Sequence, residues 1–182
     1  MKTLLSIAGI LLATACFEIA HDQERTTDRV WQSPNAAVTQ TIGLTEIHIT
    51  YGRPSVRGRV IFGDLVPYGE VWRTGANEST VVIFSDDVKI AGDPVPAGTY
   101  SLYTIPGVDT WTIILNHKLS WGTQYDSEED FLRVEARPEK SQHMEQMMLY
   151  FENVTDHTGD LIIHWDDVKV SVPIETPLHS DN

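Results

Sequence analysis

The sequence predicts an all-β fold, an antiparallel β-sandwich of about nine or ten short strands with one long irregular connection at residues 51–79. Three observations support this prediction. Apolar and polar residues alternate from residue 36 onward, as half-buried strands require. Glycine and proline separate these segments at positions typical of turns. No long amphipathic helix and no internal repeat interrupts the pattern. A closed barrel is the alternative architecture.

The first clear strand covers residues 45–51, where Ile47, Ile49 and Tyr51 fall on one face and His48 on the other. The same alternation predicts strands at residues 80–84, 87–91, 99–105, 110–116, 131–137, 147–151, 161–165 and 168–174. Loops at residues 91–94, 96–98, 105–107 and 156–159 contain the glycine or proline that separates neighbouring strands.

Helical structure is expected in only two places. One is a single turn at residues 127–131, with Asp126 or Ser127 as its N-cap, and the other is a piece of the 55–70 segment. The acidic run at residues 126–130 contains many oxygen ligands but lacks the spaced Asp-x-Asp-x-Asp-Gly loop of a calcium site. It is therefore interpreted as an acidic surface turn.

The N-terminus has the features of an export signal. Lys2 supplies a positive charge, and residues 4–13 form an apolar run too short to span a bilayer. The run ends just before Cys16, the only cysteine of the chain, which predicts a lipid-modified N-terminus. The string resembles a bacterial lipoprotein signal, although Ala13 stands where leucine is preferred. Ordinary cleavage after Ala15, leaving a free thiol, is the alternative.

These features divide the chain into a signal peptide at residues 1–16, a polar spacer at 17–35, a single β-sandwich domain at 36–176 and a tail at 177–182. The predicted location is the periplasm or the outer membrane, with membrane attachment only through the lipid. The formal charge of -13 argues against nucleic acid as a partner. Fourteen of the acidic residues follow residue 120 and are interpreted as a solvated face.

The segment at residues 51–79 differs from the rest of this acidic chain. It carries four arginines against three carboxylates, a formal charge of +1, and it lacks strand or helix periodicity. Long irregular connections inside compact domains are often functional. The pattern predicts a site for a small anionic or sugar-like ligand, because arginine offers a planar donor fork and tryptophan an aromatic face. The candidate ligand-binding residues are Arg53, Arg59, Tyr68, Trp72, Arg73, Asn77 and Glu78.

A purely structural role for the same residues stays open. Arg73 could pair internally with Glu78 or Glu70, and Trp72 could belong to the core. The residues at 75–77 could form only a turn that needs a left-handed conformation. The decisive question is whether the arginines converge on a void or on internal carboxylates.

No metal, cofactor or nucleophile is predicted. The seven histidines show no ligand spacing, and His48 and His164 are expected on outward faces of their strands. The acidic pair at residues 166–167 is interpreted as a strand end or hairpin. No serine lies in a Gly-x-Ser-x-Gly elbow. Glu70 and Glu78 lie near aromatic residues and could form the carboxylate pair of a glycan hydrolase.

Four stretches resemble a known family. They are YGRPSVRGRVIFGDLVPYGEVWRTGANEST at residues 51–80, PAGTYSLYTIPG at 96–107, Trp-Gly-x-x-Tyr-Asp at 121–126 and the acidic residues around Trp165. Together they are similar to the bacterial domain of unknown function 2911 family, from about residue 33 to residue 175. The resemblance implies an exported or lipoprotein β-rich domain. It implies no activity and no catalytic residue.

Three functional hypotheses follow. The leading one is an exported, lipid-anchored and non-enzymatic module whose 51–79 segment packs over one end of the sandwich as a ligand surface or a structural plug. The second is a hydrolase of envelope glycans or other polymers that uses Glu70 or Glu78. The third is an assembly partner that acts through its acidic surface. An enzyme needs a concave site with a catalytic carboxylate, so the shape and lining of the site discriminate among them.

Overall fold

Ten β-strands make up the domain. The computed structural model describes Arg25 and residues 27–178. The strands are β1 (Asn35–Ile42), β2 (Thr45–Gly52), β3 (Thr80–Phe84), β4 (Val88–Ile90), β5 (Asp93–Val95), β6 (Gly98–Ile105), β7 (Trp111–Asn116), β8 (Asp130–Ala136), β9 (Pro138–Glu152) and β10 (Thr158–Glu175).

The strands form two antiparallel sheets, which confirms the predicted all-β sandwich. One sheet has six strands in the order β1-β2-β3-β6-β7-β8, and the other has four in the order β5-β4-β10-β9. All pairings between these strands are antiparallel. The sheets do not close into a barrel, so the alternative architecture is wrong. Strands β1 and β5 were not among the individually predicted strands.

The core lies between the two sheets. Ile47, Ile49 and Tyr51 on β2 are buried there, as their alternation predicted. Trp111 on β7 and Trp165 on β10 are among the largest fully buried side chains. The two sheets are also linked directly near one end of the sandwich, where the Tyr51 hydroxyl accepts a hydrogen bond from the Leu149 N–H at 3.1 Å.

The longest strand corrects the predicted segmentation. Residues 161–165 and 168–174 were expected to form separate strands, but both belong to the 18-residue β10. The acidic pair between them forms a bulge instead of a hairpin, because Asp166 adopts a φ of 57° and the register with β9 shifts on both sides of it. A bulge changes the twist of a strand without ending it.

The predicted single helical turn is present but shorter. A 3-10 turn at Ser127–Glu129 is capped by Asp126, whose side chain accepts a hydrogen bond from the Glu128 N–H. The second expected piece of helix, within residues 55–70, is wrong because that segment is irregular.

Several predictions fall outside the described residues. They concern the signal peptide, Cys16, the part of the polar spacer before residue 27 other than Arg25, and the end of the tail. Among the residues that are described, no helix has the length and apolar character needed to cross a bilayer.

Candidate functional site

The irregular connection between β2 and β3 contacts both sheets at one end of the sandwich. Backbone hydrogen bonds from Val56 N–H to Glu145 O, at 2.8 Å, and from Met147 N–H to Pro54 O, at 2.9 Å, pair its start with the edge of β9. Further along, residues 72 and 104 exchange two backbone hydrogen bonds at 2.7 and 2.8 Å, which attach the connection to β6. The segment therefore spans the gap between the four-stranded and six-stranded sheets.

Four aromatic rings fill this gap. Phe62 lies at the centre, with its ring centroid 5.0 Å from Trp111, 6.0 Å from Trp72 and 6.2 Å from Trp165. Trp72 also stacks on Trp165 at 5.8 Å with an interplanar angle of 20°. Because Trp111 and Trp165 come from opposite sheets, the two aromatic residues of the connection extend the core to the end of the sandwich.

The turn after Trp72 has a tightly fixed backbone. Thr74 and Asn77 adopt positive φ angles of 51° and 65°, and the Ala76 N–H donates to Gly52 O at 3.1 Å. A Cβ atom added to Gly52 would lie 2.0 Å from the Ala76 carbonyl oxygen, so only glycine permits this approach. These contacts attach the turn at residues 73–77 to the end of β2.

A cleft of about 230 Å³ lies between this turn, the start of the connection and the residues that precede β1. Three of its lining residues are arginines, and no Asp, Glu, His or Cys of the described chain lines it. Its lining comprises Gln32, Ser33, Pro54, Ser55, Arg57, Arg59, Leu65, Val66, Trp72, Arg73, Gly75, Ala76 and Trp165. The cleft thus combines positive charge with an apolar and aromatic surface.

Two of the arginines are oriented by backbone carbonyls. Arg59 donates from Nε to Val56 O at 3.0 Å and from Nη2 to Ser55 O at 2.6 Å. Arg57 donates from Nη2 to Gln32 O at 3.0 Å. A guanidinium carries five N–H donors, so each group retains donors beyond those used here.

Arg73 differs from both, because its half-buried side chain makes no hydrogen bond or ion pair within the described part of the chain. Its Nε is buried without a partner. Burial lowers the pKa of Arg73 below its usual value, an effect that Tyr103 opposes. The aliphatic part of the side chain packs on Gly122, where an added Cβ would lie 2.1 Å from the Arg73 Cδ. A charged group is thus held partly desolvated, with no counter-ion among the described residues.

The cleft brings together three of the seven residues predicted to bind ligand, namely Arg59, Trp72 and Arg73. The other four lie outside its lining. Arg53 donates from Nε to Met147 O at 2.8 Å, Tyr68 is exposed, Asn77 donates to Ser33 O at 3.1 Å, and Glu78 is buried in an ion pair with Arg25 at 3.4 Å.

The sequence did not identify several lining residues as candidates. Arg57 lies in the basic segment and shares its charge signal, so composition could have included it. Gln32 and Ser33 carried no signal, because a polar spacer was expected there. Trp165 was interpreted only as core, yet it is both 2% exposed and part of the cleft lining.

No metal site accompanies the cleft in the described part of the chain. Within the described residues, no group of three or more His, Cys, Asp or Glu side chains could hold a metal ion. His164 was expected to be exposed on an outward face of its strand, and the expected exposure is wrong, since this residue is 4% exposed. Its ring nitrogens lie 3.3 Å from the Tyr150 hydroxyl and 3.0 Å from Gln142 O. Tyr150 and the neighbouring β9 backbone therefore cover the face that was expected to meet solvent.

Comparisons with known proteins identify a family but no activity. Residues 33–174 match a family described as protein of unknown function (DUF2911), nearly the range that the sequence resemblance covers. No curated protein and no solved structure has a significant match to the chain.

Proposed function

The chain belongs to this family of unknown function, and we propose that it is a non-enzymatic module that binds a small anion in the basic cleft. The observation that carries the proposal is the pairing pattern of the arginines. Arg57, Arg59 and Arg73 line one cleft without any carboxylate in its described lining. Arg73 is the half-buried one of the three, and a desolvated charge that served the fold alone would be expected to have an ion-pair partner, which Arg73 lacks among the described residues.

The lining also limits the chemistry of the ligand. Arginine forks bind carboxylate or phosphate oxygens through paired hydrogen bonds. Trp72, Leu65 and Val66 supply an apolar surface beside them, suited to an aromatic, aliphatic or sugar ring. The ligand class is therefore a compact amphiphilic anion, such as an aryl carboxylate, an aryl phosphate or an acidic sugar.

No observation supports the hydrolase alternative, because no Asp, Glu or His among the described residues lines the cleft. Neither Glu70 nor Glu78 belongs to its lining. The Glu78 side chain is 4% exposed and its carboxylate is held by Arg25. Glycan cleavage by a pair of carboxylates requires both to flank the scissile bond, so no observation favours that alternative.

Calorimetric titration tests the proposal. Benzoate, phenyl phosphate and galacturonate are compared with neutral benzyl alcohol and galactose, and at least one anion is expected to bind while its neutral counterpart does not. Arg59→Ala should weaken binding by roughly 10- to 150-fold, the loss expected for a charge-assisted hydrogen bond worth about 1.5–3 kcal/mol.

Arg137→Ala provides the matched control. It removes the same charge, but from an exposed residue that lies outside the cleft. It should leave affinity unchanged. If no anion binds, or if the two arginine variants behave alike, the cleft is not an anion site.

For the cellular location, we propose an exported domain attached to a membrane by a lipid on Cys16. The proposal rests on a sole cysteine that directly follows an apolar export signal. The residues between Cys16 and Arg25 would tether the domain at the membrane surface.

A further inference from the structure

The residues before β1 pack onto the domain. Arg25 lies where β2 and β3 separate after their last pair, Thr50 with Val81. Its Nη2 donates to Thr50 O of β2 at 3.0 Å and to O of Ser79, the residue just before β3, at 2.7 Å. Its Nη1 lies 3.4 Å from Glu78 Oε2, and the two side chains are only 7% and 4% exposed. We name Arg25 and residues 27–34 the strap.

The other end of the strap is held against the cleft. Asn77 donates from Nδ2 to Ser33 O at 3.1 Å, and Arg57 donates from Nη2 to Gln32 O at 3.0 Å. Both Gln32 and Ser33 line the cleft. Hydrogen bonds from two residues of the basic connection therefore fix the position of this wall.

Between its two ends the strap is held by rings. Trp31 lies 6.2 Å from Trp121 between ring centroids, at an interplanar angle of 48°. The Arg29 guanidinium stacks over the Trp31 ring at 4.4 Å, while its side chain stays 62% exposed. The strap thus contacts the rest of the domain at Arg25, at Trp31 and at its cleft end, Gln32 and Ser33.

We infer that the strap is part of the ligand site, and that Arg25 and Asn77 are positioning residues that hold the Gln32–Ser33 wall in place. The inference rests on the proposed anion-binding function. The sequence suggested Asn77 as a ligand contact, but here Asn77 acts indirectly, by holding Ser33 in place. It also extends the functional unit beyond the family match, which begins at residue 33.

The buried Arg25–Glu78 pair supports a positioning role. Removing two charges from water costs free energy that their attraction only partly offsets, so such a pair is weak support for stability alone. Its geometry instead fixes one register of the strap, because the guanidinium fits a carbonyl of β2, the carbonyl of Ser79 just before β3, and a carboxylate. A buried polar pair of this kind favours the one position of the strap in which both partners are satisfied.

The test measures strap opening and ligand binding separately in the full chain. Opening is followed by chymotrypsin cleavage after Trp31 under native conditions, and binding by titration with benzoate and phenyl phosphate. Asn77→Gly removes the amide donor while preserving the positive φ at this position. Arg25→Gln removes the buried charge, and Arg137→Gln makes the same change at an exposed position outside both the strap and the cleft.

Asn77→Gly is expected to accelerate cleavage and to weaken probe binding, each by about five-fold, the effect of one neutral hydrogen bond. Arg25→Gln should produce larger changes in both, while Arg137→Gln should alter neither by more than about two-fold, as expected of an exposed surface residue. If Arg25→Gln does not fold, Asn77→Gly still decides the question, because its melting temperature should stay within about 2–4 °C of the wild type.

The outcomes separate the strap from the site itself. A wild type that binds neither probe refutes the proposed function and, with it, the ligand role of the strap. If the wild type binds and Asn77→Gly opens the strap at unchanged affinity, the site is real and the strap does not belong to it. Unchanged cleavage in both Asn77→Gly and Arg25→Gln would overturn their assignment as positioning residues.

Discussion

Replacing Arg73 by alanine distinguishes a binding arginine from a structural one. A structural Arg73 would pair with Glu70 or Glu78, and its removal would leave a carboxylate without a partner. In the structure, Glu78 is instead held by Arg25 at 3.4 Å, and no ion pair of Arg73 is found within the described residues. We therefore expect Arg73→Ala to change ligand affinity far more than stability.

The expected magnitude follows from the contacts of the side chain. Packing of its methylene groups on Gly122 would be lost, at roughly 0.8 kcal/mol per methylene and about 1.5 kcal/mol in total. Removing a desolvated charge with a buried, unpaired Nε offsets part of that loss. The net change in the free energy of unfolding should be about 1 kcal/mol or less, a shift in melting temperature of roughly 2–4 °C.

Two assays on one variant check this expectation. Thermal unfolding gives the stability change, and titration with the tightest-binding anion of the panel should show a loss of roughly 10- to 150-fold. A destabilisation of about 3–5 kcal/mol would mean that a buried carboxylate has lost its partner. A destabilisation of this size, together with unchanged affinity for every anion that binds, would refute the binding role of Arg73. The 51–79 segment would then be a structural plug.

Three further predictions concern the core, the anchor and a titrating side chain. Trp165→Ala should lower the free energy of unfolding in urea by about 3–5 kcal/mol, since the ring is 2% exposed and stacks on Trp72; a loss below about 1 kcal/mol would contradict its core role. Cys16→Ser should move the protein from the membrane fraction to the soluble fraction of cells, and equal fractionation of variant and wild type would exclude lipidation. Burial and the hydrogen bond to Asp130 raise the pKa of Tyr125 from 10 to about 12, so the neutral phenol stabilises the fold fully below pH 10 and this contribution is lost as the pH rises through about 12. Tyr125→Phe should therefore remove one phenol that ionises near pH 12 from the ultraviolet absorbance titration, whereas loss of a phenol that ionises near pH 10 would show that the hydrogen bond is absent in solution.

The strands were predictable because their signal is local. Alternation at residues 45–51 identifies which residues of β2 face the core, and this assignment is confirmed for Ile47, Ile49 and Tyr51. The bulge at Asp166 was not predictable in the same way, because a left-handed residue inside a strand and a turn residue between strands have similar local composition. Only the continued pairing of β9 with β10 on both sides of it distinguishes the two.

The cleft was predictable in part, for a comparable reason. Charge composition pointed to the connection that carries Arg59 and Arg73, and aromatic content pointed to Trp72. The wall formed by Gln32 and Ser33 depends on hydrogen bonds such as that from Asn77, across 44 residues of sequence. No local pattern encodes that contact. The partner of Glu78 was missed similarly, because Arg25 is 53 residues away in a segment without strand periodicity.

An anion site on a chain of formal charge -13 requires that local charge dominate over net charge. At physiological ionic strength, interactions between exposed charges fade over about 8 Å, so a ligand within the cleft is governed mainly by the arginines that line it. Two carboxylates that neighbour this region have partners of their own, since Glu145 accepts a hydrogen bond from the Arg57 N–H at 3.0 Å and Glu78 is held by Arg25. The hydrogen bond from Arg57 also lowers the pKa of Glu145. The acidic surface then opposes the approach of an anion mainly at low salt, while the cleft determines how tightly it is held.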